Sequence, residues 1–167
     1  DTRPKELAIS FELGQHRVRL GGCVKGAGMI SPSMATMLCF VTTDAAIPAD
    51  ALRKGLLEAV EESFNRITID GDMSTNDSVF LLANGASGMP SIRRNGLRCR
   101  QFRRALRWLM LELAKELVRD GERVTRFVTL EVRGALTYVD AKKVAEAVCK
   151  SALVKASWNG GDPNWGR

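Results

Sequence analysis

The chain reads as a mixed α/β domain in which helices are layered on a sheet. Three observations predict this. Short β-prone apolar segments alternate with longer segments of helical period. The chain is 45% hydrophobic and 26% charged, the balance of a globular protein. Its 167 residues are enough for one domain with a sizeable core.

The elements follow in order. Residues 7–13 and 17–20 flank Gly14-Gln15 and predict a β-hairpin. Residues 21–33 form a glycine-containing connector, and the apolar run 37–43 predicts a buried strand. Pro48-Ala49-Asp50 opens a helix with Leu52, Leu56, Leu57, Val60 and Phe64 on one face. Ile67-Thr68-Ile69 predicts a short strand, residues 70–77 a polar loop, and residues 78–83 a further strand closed by Asn84-Gly85. A loop over 86–97 contains Gly88, Pro90 and Gly96. Phe102, Leu106, Leu109, Leu113 and Leu117 predict a helix over 101–119, stopped near Gly121. Residues 124–132 predict a strand, and residues 140–151 a third helix with Val144, Ala147 and Val148 on one face. The tail from Trp158 to the end is polar, aromatic and turn-rich.

Neither an internal repeat nor a disordered linker interrupts this pattern, so residues 1–35 and 36–167 are expected to form one continuous structural unit. Both ends read as cut. Asp1-Thr2-Arg3-Pro4 begins like the middle of a loop, and two tryptophans fall within the last ten residues. No apolar run approaches the ~20 residues of a membrane span. Asp1-Thr2-Arg3-Pro4-Lys5 lacks the apolar region of a secretory signal. Cys23, Cys39, Cys99 and Cys149 are widely separated and read as reduced, mostly buried thiols of a cytoplasmic protein. With a single histidine, a Cys/His metal site is not expected.

The net charge of +6 is uneven. Arg93, Arg94, Arg98, Arg100, Arg103, Arg104 and Arg107 run without an intervening acid. This is the chain's best cue for nucleic acid. Aromatic interleaving is sparse, though, and the helical part carries a core stripe. A solvated or subunit-facing surface is the simpler reading, and no nucleic-acid partner is expected.

The densest chemistry lies in Lys25-Gly26-Ala27-Gly28-Met29-Ile30 and Met34-Ala35-Thr36-Met37-Leu38. A glycine-rich turn with one lysine leads to a small residue and then to a threonine that opens a strand. Thr36 has two readings. It is either a strand-start threonine chosen for β propensity, or a self-cleaving nucleophile. Breakage between Ala35 and Thr36 would expose an α-amine able to serve as base for the hydroxyl of Thr36. The ordinary α-amino pKa of about 7.7–8.0 suits that role. A conventional Ser-His or Cys-His pair would have to use His16, which lies in the hairpin.

Lys25 is either a solvated turn lysine or a cation for a substrate carboxylate or developing oxyanion. Gly26 and Gly28 lack the third glycine of a dinucleotide fingerprint. Asp70-Gly71-Asp72-Met73-Ser74-Thr75-Asn76-Asp77 lacks the glycine and glutamate of a calcium loop, and Leu81 stands where the glutamate would be. It reads as a self-capped polar turn whose hydrogen-bonding density suits the edge of an active site. Asp120-Gly121-Glu122 puts acids at a helix C-terminus, against the macrodipole. That placement gives Glu122 a reason to hold an ammonium group.

These motifs closely resemble the self-cleavage segment of the ornithine acetyltransferase family, the bifunctional glutamate N-acetyltransferases of arginine biosynthesis. Asp1-Thr2-Arg3-Pro4-Lys5, Asn65-Arg66-Ile67-Thr68-Ile69-Asp70-Gly71-Asp72, Ser74-Thr75-Asn76-Asp77, Asp120-Gly121-Glu122 and Asn164-Trp165-Gly166-Arg167 are similar to family segments and occur in the family's order. The resemblance implies a self-processing fold of N-terminal-nucleophile type. It also implies a precursor cut at Ala35-Thr36 whose two kinds of chain assemble as a heterotetramer of two alpha and two beta chains. Here residues 1–35 would end the alpha chain and residues 36–167 begin the beta chain. Thr36 matches the nucleophile, which moves acetyl from N-acetylornithine to glutamate. Lys25 and Glu122 match substrate-binding residues, and Thr36 also contacts substrate. No metal or cofactor is implied, although some members also take acetyl from acetyl-CoA. The oxyanion hole and other substrate contacts fall outside the chain, so the isolated piece is expected to be inactive. The family usually has glycine where this chain has Arg123.

Two rival functions remain on the residues alone. A related self-processing amidase or aminopeptidase would give the acyl group to water. A nucleic-acid-binding domain would use the arginine run and leave Thr36 dispensable.

Overall fold

A computed structural model describes residues 1–31, 37–74 and 76–165, together with the backbone of Met34 and Ala35. The predicted α/β layering is present. Strands β1 (Glu6–Leu13) and β2 (His16–Lys25) form the hairpin, paired from Glu6↔Cys23 to Leu13↔His16. A two-residue ladder joins β3 (Ile30–Ser31) to β4 (Met34–Ala35). Strand β5 (Leu38–Thr43) returns antiparallel to β2 and runs parallel to β6 (Ser78–Ala83). The order β1-β2-β5-β6 makes a four-stranded mixed sheet. Because β5 and β6 are parallel, the chain must cross over between them, and α1 (Ala49–Glu61) makes that crossing.

Strand alternation sets the layers. Leu13, Val18, Leu20, Val24, Cys39 and Val41 point to one face and are buried. The long helix α2 (Leu97–Arg119) covers that face with Phe102, Leu106, Leu109, Leu113 and Leu117, the stripe expected from sequence. It starts one turn earlier than its periodicity indicates, at Leu97, because Cys99 also turns into the core. Helix α1 buries Ala51, Gly55 and Ala59 most fully, and Leu52, Leu56 and Val60 pack partly buried against the core. A Cβ at Gly55 would sit 3.3 Å from Arg103 Cγ, so small residues set the approach of α1 to α2 and Leu57 stays exposed. The opposite sheet face presents Phe40, Phe80 and Leu82 to solvent, the two rings stacked 5.2 Å apart.

Four expectations need correction. The connector is shorter than 21–33, because β2 continues to Lys25 through its pairing with β5. Ile67-Thr68-Ile69 forms no ladder. It leaves a 3₁₀ turn at Phe64–Arg66, and its attachment is the Ile69 N–H donating to the Ile30 carbonyl at 2.8 Å. Residues 124–132 are β-prone but not a strand. They find no partner strand among the described residues and lie mostly exposed, and propensity without a ladder does not make a strand. The tail is helical where turns are expected. Helix α3 (Tyr138–Lys150) is followed at once by α4 (Ala152–Gly160). Ser151 caps α4 by accepting from the Val154 N–H, and Gly161 ends it at φ +69°. Val144 is exposed, and α3 buries no residue fully.

Candidate active site

The site collects at the sheet end where β2 finishes and β5 and β6 begin. Lys25 closes β2 opposite Leu38, and Leu38 pairs on its other side with Ser78. Beyond Lys25 the turn Gly26-Ala27-Gly28-Met29 bends into β3, where Ile30 stands in register with Ala35. Two other loops shape this turn.

The first comes from the end of α2. The Glu122 N–H donates to the Ala27 carbonyl at 2.8 Å. A Cβ on Gly28 would fall 3.1 Å from Glu122 Cδ and Oε1, so glycine is what lets the carboxylate lie against the turn. The second is the polar loop. Asp70 accepts from the Met29 N–H at 2.6 Å and the Ile30 N–H at 3.1 Å, and also from its own loop at Asp72. These bonds hold Met29 at φ +51°, a left-handed conformation unusual for a side chain of that size. Asp77 accepts from the Met37 N–H at 2.8 Å. The Lys155 ammonium of α4 donates to the Ile69 carbonyl beside Asp70, and burial lowers the Lys155 pKa.

Gly121 lets the loops interlock. A Cβ there would lie 2.7 Å from Val124 Cγ2 and 2.8 Å from Ile69 Cδ1. Arg123 follows at φ +54°. That region favours glycine, and the chain holds this turn with arginine while Glu122 reaches Gly28.

A helix-end acid does find an ammonium inside the chain, but that acid is Asp120. Its carboxylate meets the buried Lys5 ammonium and accepts from the Thr2 hydroxyl and the Thr2 N–H, the latter at 3.1 Å. The Lys5 contact, then the Thr2 bonds, hold Asp120 well below the usual carboxylate range. Glu122 is left exposed, and its carboxylate has no polar side-chain partner among the described residues. The same is true of the exposed Lys25 ammonium. The structure thus places Lys25, Ala35 and Glu122 around one turn. Thr36 lies outside the described residues, as do Thr75 and the closing Gly166-Arg167.

Other chemistries find little support. His16 begins β2 at the opposite end from Lys25. Nine residues at ~3.3 Å each put it roughly 30 Å away. Burial pushes the Cys39 thiol up to about 12, which removes it as a nucleophile near neutral pH. Among the described residues no group of three or more His, Cys, Asp or Glu side chains is arranged to hold a metal ion. Arg94, Arg103 and Arg107 are ion-paired with Asp50, Glu58 and Glu62 of α1 and its C-terminal edge, which leaves less of the arginine run to face phosphates. No helix among the described residues is long and apolar enough to cross a membrane.

Comparison with known proteins identifies the family. The ArgJ family matches residues 1–167. The chain belongs to the ArgJ family. It is 53% identical over 167 residues to the arginine biosynthesis bifunctional protein ArgJ of Symbiobacterium thermophilum, covering all of this chain and 42% of that protein. It is 51% identical over 170 residues to the glutamate N-acetyltransferase of Methanocaldococcus jannaschii, covering all of this chain and 41% of that protein. The crystal structure of ArgJ from Bacillus halodurans matches with a TM-score of 0.73 at 41% identity, over 76% of this chain and 60% of that one. This ArgJ-family chain therefore spans about two fifths of the length of these curated relatives.

Proposed function

We propose that the full-length protein carrying this chain moves an acetyl group from N-acetylornithine to glutamate through an ester on Thr36, after the bond between Ala35 and Thr36 breaks. The observation that carries the reading is the placement of two opposite charges with no side-chain partner among the described residues, Lys25 and Glu122, on either side of the glycine turn that leads into Ile30, itself in register with Ala35. A substrate with a carboxylate and an amine can meet Lys25 through the first and Glu122 through the second by charge-assisted hydrogen bonds.

The chemistry then runs in two halves. The Thr36 hydroxyl attacks the acetyl carbonyl while the freed α-amine of Thr36 takes its proton. The amide C–N bond breaks, the proton passes to the leaving nitrogen, and ornithine departs. The glutamate amine attacks the resulting ester, the ester C–O bond breaks, and the hydroxyl of Thr36 regains its proton. No step calls for a metal or redox group, and acetyl-CoA enters only as a second donor of the same acetyl group. Donors for the tetrahedral oxyanion would come from the rest of the protein. Losing even one such donor costs about 10²–10³-fold in rate, so residues 1–167 alone are expected to be inactive. Assembly as two alpha and two beta chains belongs to the same proposal.

The test uses the full-length protein. Its intact mass should resolve two pieces that meet at Ala35-Thr36, and Thr36→Ala should remain uncut and inactive. With N-acetylornithine as donor, ornithine release beyond one equivalent per Thr36 should require glutamate. A single uncut and fully active polypeptide would overturn the mechanism. Sustained release beyond that single equivalent without an acceptor would turn the assignment to an amidase.

A further inference from the structure

Lys5 is a lysine in an unusual position. Its side chain is 1% exposed, and the Asp120 side chain that it meets is 3% exposed. The same ammonium also contacts the Asp1 carboxylate. Lysine is rarely buried this fully unless paired. A buried ion pair does little better than break even for stability, because desolvation offsets the attraction. An acid at a helix C-terminus works against the dipole as well. Stability is therefore a poor account of this pair, whereas its position in the fold is informative.

Two arms leave the ammonium. One passes through Asp1, whose Oδ1 accepts from the Gly26 N–H at 3.0 Å, and Gly26 directly follows Lys25. The Lys5 carbonyl also takes the Val24 N–H at 2.9 Å, on the other side of Lys25. The second arm is Asp120, which ends the 23-residue helix α2 and stands two residues before Glu122. Its own N–H bonds back to the Glu116 and Leu117 carbonyls, so the carboxylate is fixed to the helix. Lys5 thus ties the backbone on both sides of Lys25, through its carbonyl and its ammonium, to the segment that carries Glu122.

We propose that the Lys5–Asp120 pair, with Asp1, is a positioning device that sets the separation of Lys25 and Glu122. The inference rests on the reading above that these two side chains hold substrate. Lys5 and Asp120 themselves touch no substrate, being buried. Their effect reaches substrate only through the geometry of the two charges that do.

The experiment uses the full-length protein with N-acetylornithine and glutamate. Lys5→Met combined with Asp120→Asn removes both charges while keeping shape, so it avoids leaving one buried charge unpaired. It is expected to raise KM for N-acetylornithine by about tenfold or more with kcat within about threefold, because displacement of binding groups by a fraction of an ångström weakens a two-point contact. A lower melting temperature with unchanged KM would show the pair to be merely structural and overturn the proposal. Asp1→Ala is the second variant. It is half-exposed and outside the core, so folding tolerates it, and loss of its bond to Gly26 is expected to raise KM at least about threefold. Unchanged KM in Asp1→Ala overturns the proposal as well, whatever the double variant does. Glu122→Gln separates the two claims. If it moves KM and the other variants do not, only the positioning role fails. If it leaves KM unchanged, the substrate reading fails and the positioning role falls with it.

Discussion

Replacing Arg123 with glycine should stabilise the protein. Arg123 sits at φ +54°, where an L-residue with a Cβ costs roughly 1–2 kcal/mol relative to the right-handed region. Glycine removes that cost but loses about 0.5–1 kcal/mol more chain entropy on folding. The difference predicts a net gain of about 0.5–1 kcal/mol, or about 1–4 °C in Tm for a domain of this length. The Arg123 side chain is exposed and has no ion pair among the described residues, so little is lost with it. The assay is urea unfolding of Arg123→Gly beside Arg123→Ala, read as a change of midpoint at constant slope. Alanine removes the charge but keeps the Cβ, so it should show none of the gain. If the two variants unfold at the same midpoint, or glycine unfolds earlier, the backbone at Arg123 is not strained and the argument is wrong.

Two further outcomes follow from the same loops. Gly121→Ala should destabilise by about 1–3 kcal/mol, since the new methyl overlaps Val124 and Ile69. Adding Ile69→Val should recover part of that loss, and strictly additive denaturation midpoints for the pair would refute the contact. Asp120 contributes to the pH dependence. Its folded pKa is depressed, so the unfolded chain binds the proton first as pH falls. Its contribution is full above about pH 5 and drains away below the ordinary aspartate value of about 3.9, at up to about 1.4 kcal/mol per pH unit. Asp120→Asn should flatten the change in unfolding midpoint between pH 5 and 3, and an unaltered slope would contradict the assignment.

How much of this was legible depended on the range of the interaction. The hairpin and α2 announce themselves by local period, because alternation and a four-residue stripe are visible without knowing the partner. The strand expected at 124–132 failed for the converse reason: a β-prone segment is only half of a ladder. Helix α4 was hidden because Trp158, Asn159 and Gly160 look like turn residues, and the serine that starts it ends the preceding helix. In the site, the motif residues Lys25, Ala35 and Glu122 could be named from the chain. The contacts that gather them could not. Asp70 reaches Met29 across 41 positions and Asp120 reaches Thr2 across 118, and no local pattern encodes such pairings. An acid placed against a helix dipole was a usable sign, but it marked Asp120 as well as its neighbour two positions on.

The Met37 N–H donates to Asp77 across 40 positions, which fixes the residue after Thr36. Asp70 and Asp77, which hold Met29, Ile30 and Met37, are thus translated after it. On a ribosome Met37 therefore emerges before the carboxylate that holds it. If the junction is cut as proposed, a chain that ends before Asp77 lacks this brace and should remain whole.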